Sequence, residues 1–156
     1  MLTIRLVVVD RTRNAFLKEG EEFYIKRIKR YARLEWIEVK PEGKKAISSP
    51  EDAMVSEGKA IARKLVPRQY VISLDREGRA LDSIEFARLI ERLSMHQSGI
   101  CFIIGGALGI SREVLERSNE RISLSRMTLT HEMARMVLLE QLYRAFTILN
   151  NEKYHK

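Results

Sequence analysis

The chain contains one cysteine, Cys101, and it sits inside an apolar run. A lone thiol rules out an intrachain disulfide framework and suits a reducing cytoplasm. Ile100, Phe102 and Ile103 around it offer nothing to stabilise a thiolate, so Cys101 reads as a small core hydrophobe, not a nucleophile. No apolar run approaches the roughly 20 residues that a membrane span requires. There is no repeat of fixed period and no linker or low-complexity segment, which leaves one domain over residues 1–156 and no membrane partner as the expectation. No set of Cys, His and carboxylate residues has metal-ligand spacing, so no metal is expected. Residues 2–9 are interrupted by Arg5 and followed by charge, and they read as a first strand, not a signal peptide.

What is present is a globular composition with an excess of positive charge. The 45% hydrophobic content supports a buried core, and 28 basic against 21 acidic residues give a net charge of +7. A balance of that sign favours a polyanionic partner, and without a membrane signal the polyanion expected is nucleic acid. The cations are unevenly placed. Residues 15–32 carry apolar positions at helical spacing, and Lys26, Arg27, Lys29, Arg30 and Arg33 crowd the end of that segment. They complement the helix dipole and, with Arg11 and Arg13, form a candidate contact for a nucleic-acid backbone.

Residues 34–39 alternate apolar and acidic side chains, as in a half-buried strand toward a sheet edge. Residues 40–49 read as a mobile basic loop with Pro41, Gly43, Lys44 and Lys45. Ser49, Pro50 and Asp52 give an N-cap, an N1 proline and a capping acid, so a helix is expected from there to about Leu65. Residues 69–74 form a third strand ended by Asp75, Arg76, Glu77 and Gly78. Leu74 at its carboxyl end is a candidate pocket residue, because ligands of open α/β sheets bind at that edge. Asp82 and Glu85 repeat the capping spacing before a helix that runs to about Met95, and His96 reads as a dipole-compensating group at its end.

Residues 100–104 give a fourth strand, residues 111–118 a small helix and residues 122–124 a short fifth strand. The alternation predicts an α/β fold with a mostly parallel sheet and helices on both faces. The fourth strand breaks at Gly105-Gly-Ala-Leu-Gly109, which has neither the dinucleotide-binding G-x-G-x-x-G spacing nor the lysine of a Walker loop. On its own, the turn is compatible with ligand binding or with a tight turn and no ligand. The helix after Thr130, its N-cap, is apolar over most of its circumference, with Glu140, Arg144, Thr147 and Asn151 on one narrow stripe. Such a helix needs more than one packing partner, and the economical second partner is another copy of the chain.

These segments together carry a resemblance. Residues 103–109 and 122–129, then His131, Arg135, residues 140–145 and Tyr154-His155, resemble the bacterial pseudouridine N3-methyltransferases of large-subunit ribosomal RNA, members of the SPOUT class. The match covers essentially the whole chain. Relatives carry proline before the tail tyrosine and arginine after the histidine, where this chain has Lys153 and Lys156; lysine keeps the charge but loses the planar fork.

The resemblance implies a C-terminal trefoil knot, an obligate homodimer, and S-adenosyl-L-methionine as cofactor. It places the cofactor among Leu74, Gly105, Leu124, Ser125, Arg126, Met127, Thr128 and Leu129. It also implies a cytoplasmic enzyme acting on 23S rRNA within the ribosome. His155 and Tyr154 are the candidate catalytic residues: the histidine to accept a proton or stabilise charge near neutrality, the tyrosine to stack on the base or bond a carbonyl. His131 either orients the cofactor loop or occupies the first helical turn. A non-catalytic basic RNA-binding dimer and a nucleotide-binding α/β enzyme are the alternatives; the first does not need the glycine turn, and the second does not need the tail.

Overall fold

A computed structural model describes residues 1–40 and 48–156. The basic loop expected over 40–49 falls mainly on residues 41–47, outside the described residues. The elements in chain order are β1 (Thr3–Val9), α1 (Ala15–Ile28), β2 (Arg33–Val39), α2 (Pro50–Ala62), β3 (Tyr70–Ala80), α3 (Ser83–His96), β4 (Gly99–Ile104), α4 (Arg112–Arg117), β5 (Glu120–Ser123) and α5 (His131–Leu149). The strands form one sheet in the order β2-β1-β4-β3-β5, and every pairing is parallel. β2 lies at an edge, as its acidic alternation suggests.

Strand periodicity assigns each apolar side chain to a face. Ile4, Leu6 and Val8 of β1, with Ile100, Phe102 and Ile104 of β4, meet Ile28 of α1, Phe86 and Ile90 of α3, and Leu138 and Leu142 of α5. The alternate residues Val7, Val9, Cys101 and Ile103 meet Ile61 of α2 and Val114 of α4. The central strands are therefore apolar on both sides because helices cover both sides. Each such fully buried side chain contributes about 1.5–3 kcal/mol. Arg5, the one charge in β1, faces the second layer, where Nε pairs with Glu35 at 3.1 Å and Nη1 donates to the Lys64 carbonyl at 2.9 Å and to Gln69 at 3.1 Å.

Helix starts follow the capping signals. Ser49 accepts from the Asp52 amide, and Asp82 and Glu85 form a reciprocal capping box. The Asp52 carboxylate does not close a box of its own; it takes the Ser48 hydroxyl instead. Two helices stop sooner than their apolar spacing predicts. α1 ends at Ile28 because the chain tightens through i→i+3 bonds, Arg30 N–H to Arg27 and Tyr31 N–H to Ile28. α2 ends at Ala62, and similar bonds from Lys64 and Leu65 turn the chain before Pro67.

β3 corrects the expectation that it stops at Leu74. It continues to Ala80, and both Leu74 and Arg79 lie opposite Ile122 of β5. Residues 75–78 are thus a bulge pushed out of a strand that resumes in register. The apolar circumference of α5 also finds much of its explanation within the chain, since the helix packs against both α1 and α3.

Candidate functional site

Four connections converge at the carboxyl edge of the sheet: the β1–α1 turn, the β3 bulge, the glycine turn after β4 and the loop between β5 and α5. Together they enclose a cleft of about 990 Å³. Leu74, Gly105, Leu124, Ser125, Met127, Thr128 and Leu129 line it. Arg126 lies on the same loop but is exposed and outside the lining. Tyr154 and His155 also stand outside it.

The glycine turn is built by close approach. A Cβ on Gly105 would come within 2.5 Å of the Gly109 carbonyl oxygen, so only glycine allows the two backbones to meet. Gly109, at φ +91°, closes the turn and donates its N–H to the Gly106 carbonyl at 3.0 Å. The opposite wall is tied by its own hydrogen bonds. The Ser123 hydroxyl donates to the Ser125 carbonyl at 2.9 Å, Ser125 Oγ accepts from the Met127 amide at 3.0 Å, and Thr130 caps α5 by accepting from the Met133 amide at 3.2 Å. Arg76 Nη1 reaches from the bulge to Thr128 Oγ1 at 2.8 Å, joining the two rims.

Asn14, Leu17, His131 and Glu132 complete the cleft, and residue-by-residue reading did not single them out together. Their signal was topological, since the rule that points to Leu74 applies equally to the turn after β1. Glu132 Oε1 accepts from the amides of Arg13 at 2.8 Å and Asn14 at 3.0 Å, fixing the β1–α1 turn to the start of α5. Those bonds, the Asn14 one foremost, hold the carboxyl below its usual range. Burial, then the positive charge of Arg135, disfavours protonation of His131. Arg135 is wholly buried behind this wall and donates to Thr12 Oγ1, which in turn donates to the buried Glu21 carboxylate at 2.7 Å.

The tail forms a second constellation along α5. Tyr154 donates to Glu140 Oε1 at 3.0 Å and packs edge-on against Tyr143, with the Arg144 guanidinium 4.8 Å from its ring centroid. Burial, followed by its hydrogen bonds, pushes the Tyr154 phenol well above its usual value, so it stays protonated. Tyr31 donates to Glu152 at 2.7 Å and anchors the tail to the end of α1. Arg144 lies thirteen residues from His131, which at 1.5 Å per residue is about 20 Å along the helix. Its i,i+4 partner is Glu140. The tail therefore does not enter the cleft of its own chain. Beside it, Phe16, Gly20, Phe23, Tyr24, Met136, Val137 and Glu140 line an open groove in which Phe16 is 65% exposed.

Comparison with known proteins places this architecture. The model of a family described as predicted SPOUT methyltransferase matches residues 2–155. Two similar proteins named ribosomal RNA large subunit methyltransferase H are 45% identical in Carboxydothermus hydrogenoformans and 40% identical in Bacillus pumilus, each match covering 99% of this chain and 100% of the relative. Among solved structures, a probable methyltransferase from Bordetella pertussis aligns over 91% of this chain and 95% of its own, with a TM-score of 0.58 and 17% identity. A probable methylase family protein from Haemophilus influenzae aligns over 98% of this chain and 70% of its own, with a TM-score of 0.55 and 18% identity. The fold, the cleft at the sheet's carboxyl edge and a family match over nearly the whole sequence lead to one conclusion: the chain belongs to the SPOUT methyltransferase family.

Proposed function

We propose that this protein methylates N3 of a pseudouridine in 23S rRNA within the ribosome, using S-adenosyl-L-methionine and acting in the cytoplasm as a homodimer. The observation that carries the reading is the cleft, in which a turn that tolerates no side chain at Gly105 faces a loop, residues 124–129, tied by its own hydrogen bonds. The names of relatives at up to 45% identity supply the large-subunit rRNA.

The residues present fit the cofactor. Leu74, Ile110, Leu124 and Leu129 offer apolar walls for an aromatic ring, and the backbones of the two loops offer hydrogen-bonding edges. When bound, S-adenosylmethionine supplies an electrophilic methyl carbon on a sulfonium. The trefoil knot of the SPOUT class would be formed by these same loops. N3 of a pseudouridine carries a proton, so the site must accept that proton or stabilise the imidate left behind. His155 meets that need, and Tyr154, whose hydroxyl proton is given to Glu140, is suited to stack on the base.

Because the tail is held against Glu140 and Arg144, about 14 to 20 Å along α5 from the start of its own cleft, a second copy supplies it. The exposed Phe16 and Phe23, with Met136 and Val137, give that copy an apolar face on α1 and α5. Lys26, Lys29 and Arg30, all exposed, provide the contact for the RNA backbone. No helix among the described residues is long and apolar enough to cross a membrane.

The deciding experiment is transfer of labelled methyl from the cofactor to assembled ribosomes and to free large subunits, both from cells lacking the modification, followed by nucleoside analysis. Labelled N3-methylpseudouridine is expected in one of them, and its absence from both overturns the reading. Mixing a copy defective at Gly105 with a copy lacking His155 should restore activity that neither has alone; failure to do so would exclude the shared site.

A further inference from the structure

The tail histidine is not free to use both ring nitrogens. Arg144 Nη1 lies 3.2 Å from His155 Nδ1. A guanidinium has only donors, so Nδ1 must be the acceptor and the neutral ring carries its proton on Nε2. The guanidinium is itself held in place: Nε and Nη2 both donate to Glu140 Oε1, at 3.1 and 2.5 Å. The other carboxylate oxygen, Oε2, accepts from Gln141 at 2.7 Å, and Gln141 Oε1 accepts from Ser83 Oγ of α3 at 2.7 Å. A chain of hydrogen bonds therefore runs from the first turn of α3 through α5 to the imidazole, and each link has one permitted direction.

We propose that Arg144 is a positioning residue that presents His155 as a hydrogen-bond donor through Nε2–H, so that His155 stabilises the imidate oxygen of the target base rather than removing its N3 proton. This rests on the methyltransfer reading above and says which of its two chemical options the tail uses. The bookkeeping closes without a protein base. The N3 proton leaves to solvent water, the N3 lone pair forms the new bond to carbon, and the carbon–sulfur electrons remain on sulfur. The charge that develops on the ring is spread onto its carbonyl oxygens, and a preorganised N–H aimed at one of them lowers the barrier. Removing a single donor of this kind costs about 10²–10³ in kcat. Acting as a base would require an unprotonated Nε2, and the Arg144 contact selects against that tautomer.

The test compares full-length His155→Ala, His155→Gln, Arg144→Met and Arg144→Lys in the ribosome assay, each first shown to bind S-adenosylmethionine as the wild type does. A glutamine amide nitrogen stands near the position of Nε2 and donates, but it is no base. His155→Gln is therefore expected to keep kcat within about tenfold of wild type while His155→Ala loses about 100-fold. Arg144→Met should lower kcat with little change in KM, and Arg144→Lys, which retains a donor toward Nδ1, should recover part of the loss. In the free wild-type protein, nitrogen NMR of labelled histidine should show His155 Nδ1 bare and Nε2 protonated. Glutamine as inactive as alanine, Arg144→Met at the wild-type rate, or a proton on Nδ1 would each overturn the proposal. A wild-type enzyme that labels no RNA would instead fail at the function itself and take this role with it, so the two failures are told apart.

Discussion

The buried guanidinium of Arg135 donates to the Val9 carbonyl at 2.5 Å, tying α5 to the carboxyl end of β1. With its bond to Thr12 and the onward link to Glu21, this cation has no solvent contact and a counter-charge one hydroxyl away. Arg135 Nε is without a hydrogen-bond partner among the described residues, so the site has nothing to spare. Arg135→Ala is expected to cost about 3 kcal/mol or more in urea unfolding, because it strands the groups that faced the charge. Adding Glu21→Gln should recover part of the loss, giving a coupling measurable in a double-mutant cycle.

The Glu132 carboxylate, held low by two backbone amides, predicts a pH dependence with a definite sign. A carboxyl whose folded value lies below the ordinary 4.5 contributes its full stability above that pH and loses it as pH falls through the folded value. Glu132→Gln should therefore cost about 1 kcal/mol at pH 7 and flatten the acid limb of the stability curve below about pH 4.5. An unchanged limb in chemical denaturation between pH 3 and 7 would refute the assignment.

The glycine turn predicts a contrast between neighbours. An alanine Cβ at position 105 would meet the Gly109 carbonyl oxygen at 2.5 Å and the Gly109 carbonyl carbon at 2.7 Å, whereas one at 106 would meet side chains alone, Glu57 at 3.1 Å and Val9 at 3.4 Å. Backbone cannot give way as a side-chain tip can. Calorimetric titration with S-adenosylmethionine should show Gly105→Ala weakening binding by more than about tenfold, or 1.4 kcal/mol, and Gly106→Ala by much less.

Cys101 predicts chemical silence. Burial pushes its thiol up to about 11, and its side chain, fully enclosed between the sheet and α2 and α4, cannot meet a reagent. A thiol-specific chromogen should leave the native protein unmodified at pH 8 and react with one thiol on unfolding. Cys101→Ala should cost about 1 kcal/mol, the usual consequence of a methyl-sized void.

Much of the fold was legible because local and global signals agree. The continuous apolar runs of β1 and β4 announce strands covered on both faces, and Ser49, Asp82 and Thr130 cap the helices that their spacing predicts. The strand order was not legible, since β4 enters between β1 and β3 through contacts far apart in sequence. The charged residues 75–78 read as the end of a strand because their composition is that of a turn; only pairing with Ile122 shows the strand continuing. In the site, Leu74 and Gly105 could be reached from the rules for α/β sheets and from the family resemblance. The same rule reaches the β1–α1 turn that carries Asn14, and the resemblance includes His131, but Glu132 and its bonds to that turn could not be read in advance, because they depend on the starts of α1 and α5 meeting in space.

The bulge in β3 separates two jobs that a strand end usually combines. Pairing with β5 is suspended at Leu74 and taken up again at Arg79 against the same residue, Ile122. Of the residues between, Arg76 and Glu77 are exposed and can change in charge without moving a strand, whereas a Cβ at Gly78 would come within 2.7 Å of the Arg121 backbone and push β5 aside. The bulge thus lets Arg76 reach across the cleft to Thr128 while the sheet beneath it keeps its register.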